Sequence, residues 1–200
     1  MKKLKKIYFL ITVFFTVFSV VFSAPSYRVD SLDITAKIQE DGSVVVEEIV
    51  LYNASEINGV LYNIDAKGYG KLNSLEVFYE KNGEFIPAVN QNGTSSGSYT
   101  VTTSDELYKI KLYSPMRDEK RYFGFRYILP RGVTVYEDIA QFNRKMVGRG
   151  WQNSIKDVSV KVILPKKVEK NEIHAFGHGP LTGNIEILSG NEIFFSLKNL

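Results

Sequence analysis

The chain has 200 residues, 25 Lys+Arg against 22 Asp+Glu, a formal net charge of +3, and no cysteine. Without cysteine there is no disulfide scaffold, no Cys-ligated zinc or iron–sulfur site and no thiol nucleophile. The charged (24%) and hydrophobic (44%) fractions are those of a globular protein rather than a disordered one.

Residues 2–6 read Lys-Lys-Leu-Lys-Lys, and Ile7 to Phe22 follow without a charge. A basic start, a short apolar stretch and then small residues form the pattern of a secretory signal, with cleavage expected after Ser23. The apolar stretch is short for a spanning helix, which needs about 20 residues. Removing residues 1–23 takes away four lysines and no acid, leaving a net charge of −1. The basicity thus belongs to the leader, and no electrostatic case remains for nucleic acid.

From Tyr27 the hydrophobic period is two. Leu32, Ile34, Ala36 and Ile38 alternate with polar residues, so a half-buried strand is expected. Asp41-Gly42 then marks a hairpin, with a return strand over Ser43–Tyr52. Gly59–Ile64 reads as a short separate strand. Asn82-Gly83 marks a second hairpin between Leu72–Glu80 and Glu84–Val89. Residues 90–98 form a Gly/Ser/Asn loop, Tyr99–Thr103 and Leu107–Tyr113 are strands, and Ser114–Lys120 is a charged turn. The aromatic strand Arg121–Leu129 ends at Pro130. Over 136–147, Ile139, Phe142, Met146 and Val147 fall at helical spacing, with Asp138 placed as N-cap, which predicts one short helix. Strands are expected again at Ile155–Leu164, Glu172–Phe176, Gly183–Leu188 and Glu192–Leu197.

Many short strands with frequent turn signals predict an all-β fold, an antiparallel sandwich of immunoglobulin-like or jelly-roll-like kind carrying that one helix. No long linker divides the chain, so residues 24–200 are expected to form one extracytoplasmic domain.

The ordered set of motifs resembles the N-terminal extracytoplasmic part of the bacterial predicted membrane protein family called domain of unknown function 2207. The matching elements are Tyr27-Arg28-Val29-Asp30 with Ile34, Asp41-Gly42-Ser43 leading into Val44–Glu48, Gly59–Ile64, Phe123–Leu129, Val147-Gly148-Arg149-Gly150-Trp151, Val158–Pro165 and Gly177-His178-Gly179-Pro180-Leu181. The resemblance implies an exported β domain followed by membrane helices, with membrane attachment through a region not present in this chain. This sequence departs from that pattern, since nothing long and apolar follows Phe22 and it stops at Leu200 after a strand. It is read either as the N-terminal part of a longer membrane protein or as a short secreted relative. The resemblance carries no activity onto any residue.

No catalytic constellation stands out. Glu47 and Glu48 are neighbours on a strand and point to opposite faces, so they are no pair for glycoside hydrolysis; one is expected buried and hydrogen-bonded, the other solvated. His174 and His178 are too far apart in extended chain to share an ion, and His178 reads as a turn residue in a Gly-Pro segment. There is no Gly-x-Ser-x-Gly elbow, phosphate loop or His-Glu-x-x-His. No cofactor and no metal is expected. Trp151, Arg149, His178 and Tyr122 form the speculative ligand or partner surface. The function expected is a non-enzymatic exported module for protein–protein or envelope contact at the extracytoplasmic face. A carbohydrate-binding module using Trp151 and neighbouring tyrosines is the alternative, and an envelope hydrolase the second alternative.

Overall fold

The computed structural model describes residues 27–148 and 151–200. The leader over 1–23 and Arg149 therefore lie outside the described residues. The strands are β1 (Tyr27–Ile38), β2 (Val44–Asp65), β3 (Asn73–Lys81), β4 (Glu84–Pro87), β5 (Val89–Asn90), β6 (Ser98–Ser104), β7 (Leu107–Leu129), β8 (Val133–Val135), β9 (Ala140–Phe142), β10 (Ile155–Ile163), β11 (Asn184–Ser189) and β12 (Glu192–Lys198). One ten-stranded sheet runs in the order β11-β12-β10-β1-β2-β7-β3-β4, with β6 paired to β7 and β5 to β6, while β8 and β9 form a separate hairpin.

The long ribbon of β2 and β7 organises the molecule. The two strands pair from Val44↔Leu129 to Asp65↔Leu107, with a register shift between Ile57 and Gly59. Their first-formed end is flanked by β1 and β3, and their other end by β6. A flat ribbon of this length would leave its apolar face wet; folding the ribbon over itself buries that face. Tyr62, in the second half of β2, stacks on Phe125 with ring centroids 4.0 Å apart and planes 7° from parallel. The halves thereby become two layers of a sandwich. Between them lie Val46, Val50, Tyr52, Val60, Ile64, Ile110, Leu112, Phe123, Phe125 and Tyr127, joined by the inward faces of β1 and β10.

Both Gly-containing hairpins form where the sequence places them. Gly42 has φ +80°, and Asn82 and Gly83 have φ +56° and +82°. Asp41 Oδ1 accepts from the Ser43 amide at 2.9 Å and from its hydroxyl at 2.7 Å, which holds the first turn.

Five expectations are corrected. The sheet is mixed rather than antiparallel, because β1 pairs with β10 in parallel. Gly59–Ile64 is no separate strand, and Ser114–Lys120 is no turn: both lie inside the continuous β2 and β7. Their polar residues meet partners across the ladder, as Glu56 does with Arg117 at 2.9 Å. Pro115 is tolerated there because it sits at the bulge opposite Asn58. No helix forms over 136–147; β8 and β9 close a hairpin instead, with the Tyr136 amide donating to the Ile139 carbonyl at 2.8 Å. The β-branched run Val133-Thr134-Val135 favours that choice. After it, half-buried Phe142, Arg144 and Met146 alternate with exposed residues at period two, not at helical spacing. Finally, Glu172–Phe176 is not a strand: Lys170–Glu172 is a single 3-10 turn and the chain beyond is irregular.

At Gly59 the paired strand β7 passes too close for a side chain. A Cβ there would stand 2.1 Å from the Leu112 carbonyl oxygen, and backbone has no rotamer with which to retreat. Gly59→Ala is therefore expected to destabilise the fold by about 3 kcal/mol, at the upper end of overpacking costs, read as a lowered urea midpoint.

Candidate functional site

The polar centre of the core is Glu48. Alternation along β2 turns Val46, Glu48 and Val50 inward and Glu47 outward. Glu48 is only 4% exposed. Its Oε2 accepts from the Tyr62 hydroxyl and its Oε1 from the Tyr127 hydroxyl. Tyr62 reaches it because the ribbon is folded, and Tyr127 because β7 lies beside β2.

The counter-charge comes from elsewhere in the chain. Arg144 follows β9 and is buried. Its Nη2 donates to the Tyr127 oxygen at 2.7 Å and stands 3.9 Å from Glu48 Oε1; its Nη1 donates to the Asp65 carbonyl at 3.1 Å. The guanidinium also lies over the rings of Tyr69 (5.3 Å) and Tyr127 (5.7 Å). Arg144 Nε is buried without a hydrogen-bond partner among the described residues. Beside Arg144, the Tyr69 hydroxyl donates to the Asn143 carbonyl at 2.5 Å. These contacts pin the segment after β9 to the open end of the sandwich.

Burial dominates the electrostatics. It raises the Glu48 carboxyl above the usual carboxylate range, against the opposing pull of Arg144 and of the Tyr127 and Tyr62 hydroxyls. It also pushes both tyrosines well above their ordinary value, reinforced by the Glu48 charge. At Arg144 burial pulls the other way, but Tyr127, Glu48 and Tyr69 more than offset it and the net shift is upward. The outward Glu47 instead pairs with Arg126 at 2.6 Å on the solvent face, so one glutamate is buried and the other solvated.

Of the four residues singled out from sequence, Arg149 lies outside the described residues, and the other three are not brought together. Trp151 is half-buried and packs edge-on against Tyr62, ring centroids 5.8 Å apart at 74°, close to the Glu48 cluster. Tyr122 is 37% exposed on the outer face of β7, where its ring is 6.4 Å from that of Phe85. His178 is exposed in the connection between β10 and β11. His174 is exposed in the same connection. Among the described residues no group of three or more His, Asp or Glu is placed to hold a metal ion. Arg144 had no sequence signal of its own, since it lay inside the stretch read as a helix.

The family model described as "Predicted membrane protein (DUF2207) N-terminal domain" matches residues 28–198. The chain belongs to that family. Among the described residues no helix is long and apolar enough to cross a membrane. A comparison with curated proteins returns no match. Among solved structures, a protein described as a candidate protease from Parabacteroides distasonis is similar at 11% identity and a TM-score of 0.49, over 87% of this chain and 35% of that one. An M1 zinc metallopeptidase variant from Deinococcus radiodurans bound to a Tyr-Ser-Ala substrate is similar at 7% identity and a TM-score of 0.41, over 86% and 39%. The chain thus spans little more than a third of those proteins, and similarity at this level carries no argument about activity.

Glu48→Ala leaves a buried guanidinium and two hydroxyls uncompensated and is expected to cost about 3–5 kcal/mol, whereas Glu48→Gln, which keeps an acceptor and the shape, costs less. Because the folded carboxyl holds its proton more tightly than an ordinary one, folding favours the protonated form. The stabilisation linked to that proton is complete below the ordinary value of 4.5 and is lost as pH rises through the raised one. Urea midpoints measured against pH should show this decline in the native chain and not in Glu48→Gln.

Proposed function

We propose that the chain is a non-enzymatic exported β-sandwich module of a membrane-associated envelope protein, working by contact with a protein or envelope partner. The observation that carries this reading is how the charged groups are used. Glu48 and Arg144, the buried ion pair, have side chains only 6% and 5% exposed and bond with Tyr62, Tyr127 and Asp65, with Arg144 Nε left over. The exposed carboxylates serve local structure: Asp41 holds the first hairpin, Glu47 pairs with Arg126, and Asp65 accepts from the Lys67 amide at 3.0 Å. A surface groove of about 480 Å³ beside the β1–β2 turn has Asp41 as its only acidic lining residue; a second, of about 410 Å³, is lined by Glu56 and Glu119, each held in an ion pair, with Arg117 and Arg121 respectively. Membership of a family of predicted membrane proteins supports the attachment.

The carbohydrate reading draws support from one place, and it is not Trp151. On the outer face of β3, β4 and β7, the missing side chain of Gly124 lets Phe78 and Phe85 lie close to the sheet, next to exposed Tyr122. Such a surface suits the apolar face of a sugar ring.

Two measurements test these readings. In cells expressing the natural reading frame with a terminal epitope tag, the protein is expected in the membrane fraction and cleaved by protease added outside; a soluble, protected protein overturns the proposal. In pull-downs on purified cell-wall glycan, binding that disappears in the Tyr122→Ala, Phe85→Ala double variant favours the sugar surface, and no binding by the native chain removes it.

A further inference from the structure

The connection between β10 and β11 carries the most exposed large apolar side chains among the described residues. Phe176 is 78% exposed and Leu181 fully so. They belong to Ile173–Gly183, a run of eleven residues with no Asp, Glu, Lys or Arg; the nearest charges are Glu172 before it and Glu186 after it. The run is not a loose tether. Ile173 and Ala175 pack on the core, Gly177 lies against Ile185 and Phe195, and Gly183 lies against Ser196 and Leu197. The fold therefore holds two large apolar groups out in water on an ordered segment, the kind of exposure a binding surface uses.

Their position in the fold says which surface. The connection leaves β10 at one end of the sheet and returns to β11 at the other, entering it opposite Ser196 near the end of β12. That end gathers both termini of the described domain. The Ile155 amide donates to the Leu200 carbonyl at 2.9 Å and the Leu200 amide to the Ile155 carbonyl at 3.0 Å. Val29 is in register with Ile155, and Asn153 Nδ2 donates to the Tyr27 carbonyl at 2.8 Å. Tyr27 itself stands four residues beyond Ser23, at the close of the apolar leader. Any attachment to a bilayer, through the segment before Tyr27 or through chain continuing after Leu200, brings this end toward lipid, and with it the Gly183 side of the run, while Gly177 beside Phe195 stands farther back along β12.

We propose that Ile173–Gly183 is a lipid-contacting loop that sets Phe176 and Leu181 into the interfacial layer of the membrane bearing this domain. The site rests on the membrane attachment proposed above and adds an orientation: the β1 start, the β12 end and this loop face the bilayer, while the Asp41 and Pro130 turns face away. A loop free of Asp, Glu, Lys and Arg that presents Phe176 and Leu181 beside exposed His174 and His178 matches the interfacial layer, which admits apolar and amphipathic side chains but penalises fixed charge. Two side chains supply too little buried area to anchor a domain alone, so the loop orients a domain that is held by other means.

The absence of cysteine makes the test direct. Leu181→Cys and, as a control on the outer face of β4, Phe85→Cys each create a unique labelling site at an exposed position, where folding is not at stake. Each full-chain variant, labelled with a polarity-sensitive fluorophore and carrying a terminal hexahistidine tag after Leu200, is bound to phosphatidylcholine–phosphatidylglycerol vesicles containing a nickel-chelating lipid. Emission from position 181 is expected to rise several-fold, shift to the blue and be quenched by lipids brominated in the acyl chain, with position 85 unchanged. Replacing Phe176 by Ser should reduce the response at 181. Equal, unquenched emission from the two positions overturns the loop, and so does a response at 85 alone; a surface of this kind would then serve a protein partner. Because the tag supplies attachment, this result is independent of whether the protein reaches the membrane fraction in cells.

Discussion

The structure depends on one constraint: a two-stranded ribbon more than twenty residues long must cover its own apolar face. It does so by folding across itself, and the place where it folds tolerates no side chain, because the Leu112 carbonyl occupies the space a Cβ at Gly59 would need. Everything else is assembled on that doubled ribbon. β1, β10 and β12 extend one layer, β6 extends the other, and the aromatic stack of Tyr62 on Phe125 is the contact by which the halves recognise each other.

The doubled ribbon also explains why a carboxylate sits in the core. Glu48 is a costly residue to bury. It is tolerated because the fold brings Tyr62 and Tyr127 to its two oxygens and Arg144 to its side. In return the cluster ties three distant stretches to one point, which a purely apolar contact of the same size would do with less positional definition. The segment bearing Arg144 has no regular structure to hold it, and its attachment is made of these directional bonds together with the edge of Trp151.

Much of the fold was legible because local chemistry decided it. The alternation from Leu32 to Ile38 and the Asp41-Gly42 and Asn82-Gly83 turns needed no knowledge of distant residues. The errors arose where a distant partner overrides local polarity. Ser114–Lys120 looks like a turn when read alone, yet it is strand because β2 lies across from it and supplies what it needs, as Glu56 does for Arg117. The stretch 136–147 fits two periods, and the β8–β9 ladder selects the extended one over the helical. For the core cluster, sequence could say that Glu47 and Glu48 face opposite ways but not which faces inward, and it held no sign that an arginine nearly a hundred residues later would be the counter-charge. His178, Trp151 and Tyr122 were picked out one by one by residue type, and the fold places them in three different surroundings.

The parallel pairing of β1 with β10 has a consequence in time. The contact between Asp33 and Ser159 spans 126 residues, and the strand that begins the domain lies between β2, which follows at once, and β10, which comes near the end. The central sheet cannot close until almost the whole chain is present. A domain of such high contact order folds late and slowly. The first strand to emerge waits longest for its second neighbour, and the domain becomes a single structure only when the last strands arrive.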